Sequence, residues 1–145
     1  NKKFLKQIDI KKNNILKEFL NNSNIYKFLL VEQNKEKNKI SKVLKKVSNK
    51  KIIIYCAGSY SKIILKLIKN FRIKVKFICD SNLGFKDKEI YKYKIKSKAD
   101  LSKNIQNLKM TDILILNSNI DTSKNIKKDL IKTGFLEKKI FYLGH

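Results

Sequence analysis

Residues 50–145 alternate short β-branched runs with amphipathic stretches, and this alternation limits what the chain can fold into more than any other feature. Strong strands are predicted at 51–56, 75–80 and 112–117, a weak short strand at 93–96 and a last strand at 139–143. Between the strands, apolar residues recur at spacings of three and four, which predicts helices. Strands that alternate with helices in this way form βαβ units, so we expect a parallel sheet with right-handed crossovers.

The expected fold is therefore α/β: a Rossmann-like parallel five-stranded sheet in the order 3-2-1-4-5, with helices on both faces. Isoleucines of the strands should form its core, namely Ile52, Ile54, Ile78, Ile113 and Ile115. Ser97 and Asp100 have the spacing of a capping box, with Asp in place of the usual Glu. For the last helix we expect a cap at Asp121, Thr122 or Ser123, inward side chains at Ile126, Leu130 and Ile131, and a stop at Gly134.

Residues 1–49 are interpreted as a helical extension and residues 50–145 as the Rossmann-like domain. Apolar residues at helical spacing lie within 4–8, 15–20 and 25–31, the last capped by Ser23 or Asn24, before a polar stretch at 32–38. A final amphipathic face carries Ile40, Val43, Leu44 and Val47. Two roles stay open for the extension: an arm that binds a partner or a second copy of the chain, and a helical cover packed on the sheet domain.

The charge of the chain bears on its partners. The 145 residues include 35 basic and 12 acidic ones, which give a net charge of +23. Only Arg72 of the basic residues is arginine, and Lys, Asn and Ile make up about half of the chain. All three have AT-rich codons, so an AT-rich genome explains much of the charge. Because base and phosphate recognition favour arginine, this composition argues against nucleic acid as the partner.

The remaining composition indicates the cellular compartment of the protein. It has no apolar run of about 18 residues, so we expect no membrane span. Two cysteines without a signal peptide predict reduced thiols in a cytoplasmic protein. The chain does not begin with Met, so we expect it to be part of a longer protein whose further domains, or a second copy of the chain, are its protein partners.

Candidate binding residues follow the strands at the carboxyl edge of the predicted sheet, where open sheets of this kind bind ligands beside the switch in strand order. They form three groups, which follow the first, second and fourth strands. The candidates are Gly58, Ser59, Tyr60, Ser61, Asp80, Ser81, Asn82, Asn117 and Ser118.

The first group opens a helix, where exposed amides and the helix dipole favour an anion. Gly58 has no Cβ to block a phosphate, and Ser59 and Ser61 add hydroxyl donors. Only the middle glycine of the dinucleotide fingerprint is present, with Cys56 at the first position and Ser61 at the third. Two interpretations stay open: a turn that binds the phosphate of a nucleotide, and a degenerate turn that has kept only its packing role.

The second and third groups would complete a nucleotide site. Asp80 follows Gly58 by about 20 residues, the spacing at which an acidic side chain accepts hydrogen bonds from a ribose. Ser81 and Asn82 would contact the base or the remaining sugar oxygens, and Asn117 with Ser118 would contact a sugar or a phosphate. The alternative for both groups is an ordinary polar turn or loop.

These segments together resemble a known Rossmann-like module, the one found beside FkbM-type methyltransferases, sugar acyltransferases and other enzymes of bacterial surface-glycan biosynthesis. The resemblance covers roughly residues 50–144, with Gly58 at the middle glycine of its turn and Asp80 at its acidic strand end. Cys56 and Lys92 stand where the module has glycine. The resemblance implies a Rossmann-like fold and a nucleotide or nucleotide-sugar ligand.

The sequence therefore predicts a nucleotide or nucleotide-sugar-binding module of a larger cytoplasmic protein of bacterial polysaccharide biosynthesis, as a non-catalytic domain of a sugar-modifying transferase. The alternatives are a stand-alone enzyme that uses NAD(P) or transfers a sugar group, and a scaffold domain that has lost its ligand site. Catalytic residues are not identified, because the single histidine is the terminal His145. Cys56 and Cys79 are too few for a structural zinc site, so no metal is expected.

Overall fold

The computed structural model describes residues 24–144, with side chains described from residue 34 onward. The helical segments predicted at 4–8 and 15–20, and the cap predicted at Ser23, lie outside the described residues. Contacts divide the chain into two compact units, with the boundary between residues 40 and 41. The assignment of 1–49 to an extension and 50–145 to the sheet domain stays a prediction.

Helix α1 spans Asn24–Lys46. The polar stretch at 32–38, expected to follow a shorter helix, lies inside it. Lys, Glu, Gln and Asn cost at most about 0.7 kcal/mol each relative to Ala in a helix, and the stretch contains no Gly or Pro to stop it. In the second unit, Leu44 and Val47 are fully buried while Val43 is partly exposed, so this end of the predicted amphipathic face packs within the chain.

The described residues form a six-stranded, mostly parallel sheet. Its strands are β1 Lys51–Tyr55, β2 Lys74–Cys79, β3 Glu89–Ile90, β4 Tyr93–Lys96, β5 Asp112–Leu116 and β6 Ile140–Leu143. Their spatial order is β3-β4-β2-β1-β5-β6, and every neighbouring pair is parallel except β3 with β4. An α/β fold with a coarse Rossmann-like arrangement is thus present, with β1 and β5 parallel at the centre as predicted.

The predicted strand count and order are wrong, because the sheet has the additional edge strand β3. It turns back into β4 through Tyr91 and Lys92, both in the left-handed backbone region (φ 48° and 76°). Two-residue hairpin turns of this type need positive φ and usually carry Gly or Asn. Without such residues, a strand of two residues in a polar segment leaves no sequence signal.

The helices of the sheet domain are α2 Ser59–Leu67, α3 Lys98–Lys103, α4 Ile105–Leu108 and α5 Ile120–Thr133, with 3-10 turns at Ile68–Phe71, Leu83–Phe85 and Glu137–Lys139. The capping box is confirmed: the Ser97 hydroxyl accepts from the Asp100 amide, and the Ser97 amide donates to Asp100 Oδ2 at 2.8 Å. The helix that follows was expected to be continuous but breaks at Asn104 between α3 and α4.

Two details of α5 correct the prediction. Its N-cap is Asn119, whose Oδ1 accepts from the Thr122 amide at 3.1 Å, and not Asp121, Thr122 or Ser123. Ile131 was predicted to point inward but is 39% exposed. The residues that face inward are instead 123, 126 and 130, at three- and four-residue spacing. Ile131 follows Leu130 directly and so lies on the solvent side. Gly134 ends the helix at φ 125°, as predicted.

The core lies on both faces of the sheet. One face packs against α3, α4 and α5, through a cluster that includes Ile53, Tyr55, Ile113, Leu101, Leu108 and Leu130. Alternate strand residues point to the opposite face. The β1–α2–β2 crossover places α2 there with its buried Ile64, followed by the buried Ile68 of the next 3-10 turn. All five isoleucines predicted for the core are fully buried, namely Ile52, Ile54, Ile78, Ile113 and Ile115. Ile53 is also fully buried and was not predicted.

Candidate functional site

A cleft of about 480 Å³ lies at the carboxyl edge of the sheet. The ends of β1, β2 and β5 border it. The cleft therefore includes the topological switch point beside β1, where the strand order reverses. Most of the predicted binding residues line this cleft together: Gly58, Ser59, Tyr60, Asp80, Ser81, Asn117 and Ser118. The strand-to-helix pattern of the sequence therefore brought the three groups to one place.

Ser61 and Asn82 do not line the cleft. Ser61 is fully buried, and its hydroxyl donates to the carbonyl oxygen of Cys56, so it holds the turn between β1 and α2 from inside. Asn82 is exposed, and its Oδ1 accepts from the Gly84 amide at 2.9 Å as the cap of a 3-10 turn. Their polar groups serve the local backbone, which is the alternative that the sequence left open for such residues.

Gly58 is the N-cap of α2 and has an ordinary extended conformation, with φ −82° and ψ −171°. A Cβ built on it meets no atom within 4 Å. The backbone therefore does not require glycine here, and the space in front of the residue is open. The first-turn amides of a helix have no acceptor in the preceding turn, and this cap supplies no side-chain hydrogen bond. The result is an open, amide-rich helix start at the wall of the cleft.

Cys56, at the first glycine position of the fingerprint, has φ 90°, a conformation that L residues rarely adopt. Local bonds hold it there: its amide donates to the Cys79 carbonyl at 2.8 Å, its carbonyl accepts from Ser61, and Asn117 Nδ2 lies 3.8 Å from its sulfur. Burial raises the pKa of the Cys56 thiol, so the thiol that lines the cleft is protonated at neutral pH and is a poor nucleophile.

Asp80 ties the strand end to the turn at Gly58. Its Oδ2 accepts from the Ala57 amide at 2.8 Å, and its Oδ1 accepts from the Asn82 amide at 2.8 Å. The Ala57 bond spans two strand ends and closes the β1–α2 turn over β2. A carboxylate has about four lone-pair sites, so both oxygens retain capacity for a ligand hydroxyl.

Several residues that line the cleft were not among the sequence candidates: Tyr55, Phe85, Leu116, Thr122 and Ile126. Tyr55 and Leu116 are the last residues of strands, so the edge argument could have found them. Phe85 belongs to a 3-10 turn within a polar segment, and no periodicity indicated its position. Phe85 and the predicted Tyr60 both add aromatic surface to the cleft.

The two cysteines occupy adjacent strand ends as free thiols. Cys79 is fully buried, and burial, followed by the charge of Asp80, raises the pKa of its thiol to about 12. Since both thiols are protonated at neutral pH, they behave as small apolar residues of the core edge.

The charge of the cleft differs from that of the whole chain. Among the described residues that line it, Asp80 is the single charged side chain and none is lysine. Local attraction for an anion therefore comes from the start of α2, while the lysines of the chain act from a distance and are screened by salt.

Two further searches cover the described residues only. No group of three or more His, Cys, Asp or Glu side chains in residues 24–144 is placed to hold a metal ion. Within the same part of the chain, no helix combines the length and apolarity needed to cross a bilayer. Comparison with protein-family models, with curated proteins and with solved structures finds no match to this chain.

Proposed function

We propose that the sheet domain binds a nucleotide or a nucleotide-sugar, with a phosphate at the start of α2 and the ribose near Asp80, as a module of a larger cytoplasmic protein of bacterial glycan biosynthesis. The observation that carries the proposal is the convergence of an open helix N-terminus and an acidic strand end on one cleft beside the centre of the sheet. The cleft volume of about 480 Å³ is within the usual range of small-molecule sites.

The shape of the turn supports a phosphate there. With no side chain at Gly58 and no atom within 4 Å of the position of its Cβ, a phosphate has an unobstructed approach to the first-turn amides. Glycine is not needed for the backbone angles at this position, so its small size is the property that an anion would use. Ser59 adds an exposed hydroxyl at the same place.

The remaining lining suits a nucleoside or a sugar. Ser81, Asn117, Ser118 and Thr122 offer hydroxyl and amide groups in several directions, and Phe85 offers an aromatic surface for a base. We propose binding and no catalytic step, because the Cys56 thiol is protonated and the carboxylate of Asp80 already accepts hydrogen bonds from two backbone amides.

A scaffold domain without a ligand is the second candidate, and one specific observation favours it. The polar groups that a nucleotide would use are engaged with the protein itself: Asp80 accepts from Ala57 and Asn82, and the hydroxyl of Ser61 donates to Cys56. In that case the same residues would serve only to hold the turns at the sheet edge.

The two candidates are separated by calorimetric titration of UDP-glucose, NAD and tripolyphosphate into wild type, Gly58→Val and Asn107→Val. Gly58→Val fills open space and leaves the backbone unstrained, so the fold should survive while the phosphate approach is blocked. Asn107→Val is the matched control, since it places the same side chain at an exposed helical position that does not line the cleft.

We expect saturable binding of at least one nucleotide by wild type and by the control, and a loss of about tenfold or more in Gly58→Val. Tripolyphosphate should bind more weakly than the nucleotide. If wild type shows no saturable binding at millimolar nucleotide, or if Gly58→Val binds as well as the control, the scaffold interpretation is the correct one.

A further inference from the structure

A second cavity of about 410 Å³ lies beside the cleft. Ala57 and Phe85 form part of its wall: Ala57 directly precedes Gly58, and Phe85 lines both spaces. Its floor is apolar, because Ala57, Ile90 and Ile95 are at least nine-tenths buried. We call this space the side cavity. It extends from the β1–α2 turn toward the hairpin of β3 and β4.

The side cavity carries the positive charge that the cleft lacks. Lys62, in the first turns of α2, and Lys88, just before β3, both line it. Among the residues that the structure describes, neither lysine is within ion-pair distance of a carboxylate, whereas Lys50, Lys98 and Lys127 are. A ligand group that enters the side cavity thus meets two lysines that form no ion pair, together with the carboxylate of Glu89, above an apolar floor.

The hairpin that walls the side cavity is strained. Tyr91 and Lys92, which form its turn, both have positive φ, at 48° and 76°. Each such residue costs about 1–2 kcal/mol unless Gly, Asn or Asp occupies the position. The turn keeps Tyr91, which is 53% exposed, at the cavity. Strained backbone that holds a large exposed aromatic beside a cavity is typical of a binding site.

We propose that the side cavity receives the second phosphate and the attached sugar of a nucleoside diphosphate sugar whose nucleoside half occupies the cleft. This inference rests on the proposed function and names the ligand class: a diphosphate-linked ligand in preference to a nucleoside monophosphate. Lys62 and Lys88 neutralise the second phosphate, Glu89 accepts from sugar hydroxyls, and Tyr91 packs on the sugar ring. The first phosphate stays at the start of α2, between the two spaces.

The test compares UMP, UDP and UDP-glucose by calorimetry, at physiological salt, on the full chain. The variant is the double substitution Lys62→Ala and Lys88→Ala. Its matched control is Lys66→Ala with Lys69→Ala, which removes the same charge from exposed positions that line neither space. Far-ultraviolet circular dichroism of each variant checks that the fold is retained.

In wild type we expect UDP-glucose to bind about tenfold or more tightly than UMP. The Lys62 and Lys88 variant should lose about tenfold in affinity for UDP and UDP-glucose while its affinity for UMP changes by less than about twofold, and the control should change all three by less than about twofold. Tyr91→Ala should weaken UDP-glucose binding and leave UDP binding unchanged.

The failures are distinguishable. If UMP binds but UDP-glucose binds no more tightly, or if both double variants weaken the three ligands alike, the side cavity is not part of the site and only this inference is wrong. If none of the three ligands gives saturable binding to wild type, the proposed function and this inference are both wrong.

Discussion

Asp80 should stabilise the fold through one of its two hydrogen bonds far more than through the other. Its Oδ2 accepts from the amide of Ala57, a residue only 3% exposed, while its Oδ1 accepts from the amide of Asn82, which is exposed. Water can replace the carboxylate at Asn82 but not at Ala57. The two substitutions Asp80→Ala and Asp80→Asn should therefore differ.

In Asp80→Ala the buried amide of Ala57 loses its acceptor, at a cost of about 2–3 kcal/mol for an unsatisfied buried donor whose partner was charged. In Asp80→Asn the amide oxygen can keep the Ala57 bond while the NH₂ group faces Asn82, where water intervenes, so the cost should be about 1 kcal/mol. With an m-value of about 1.5 kcal/mol/M, the urea midpoint should fall by about 1.3–2 M in Asp80→Ala and by about 0.7 M in Asp80→Asn.

Urea unfolding followed by circular dichroism measures both effects, since the chain has no Trp for fluorescence. Asp121→Asn, which removes the same charge from an exposed position, is the control and should shift the midpoint by less than about 0.5 M. If the Ala and Asn variants of Asp80 lose equal stability, or if both match the control, the Ala57 bond does not hold the turn. Asp80→Asn also changes this bond network, so lost ribose affinity in that variant would not isolate a ligand contact.

Two further predictions concern the hairpin and the α3 cap. Lys92→Gly should stabilise the fold by about 1 kcal/mol, because Lys92 is exposed and has φ 76°. The control Lys94→Gly, in the regular strand β4, should destabilise the fold by about 0.5–1 kcal/mol. Equal effects of the two substitutions in thermal or urea unfolding would contradict the strain argument. The amide and then the hydroxyl of Ser97 lower the pKa of Asp100, so ionised Asp100 stabilises the fold above its unfolded-state pKa of about 3.9 and loses this effect as pH falls through its lower folded-state pKa. The urea midpoint of wild type should exceed that of Asp100→Asn by a constant amount between about pH 5 and 7 and converge with it toward about pH 2, and a gap independent of pH would refute this.

The fold was predictable where local signals agreed. Strands β1 and β5 are mostly apolar runs with β-branched residues, as burial on both faces of a central parallel sheet requires. Strand β2 keeps this pattern only in its last three residues, which are all buried. The capping box of α3 and the stop at Gly134 were visible because specific side chains or a missing Cβ produce them.

The hairpin and the cap of α5 were not predictable, for different reasons. The turn at Tyr91 and Lys92 pairs unfavourable backbone angles with ordinary residues, so tertiary contacts override the local preference. Near the start of α5 several adjacent side chains can cap a helix, and Asn119 prevails at a position that sequence does not single out.

The place of the candidate site followed from topology, but its chemistry did not. Strand ends converge at one edge in any sheet of this order, so the cleft could be located from Gly58, Asp80 and Asn117. That Ser61 turns inward, that Asp80 already bonds to Ala57, and that no lysine lines the cleft depend on side-chain directions within the turns. Sequence spacing does not contain these directions.

The central claim is that a nucleotide binds at the start of α2, and chemical-shift mapping of ¹⁵N-labelled protein during titration with UDP-glucose tests it most directly. We expect saturable shifts concentrated on the amides of Gly58, Ser59 and Ser81, with one dissociation constant for all three. Shifts spread over the exposed, lysine-rich end of α1 and growing without saturation would instead show attraction by charge alone, and unchanged amides at Gly58 and Ser59 would contradict the account.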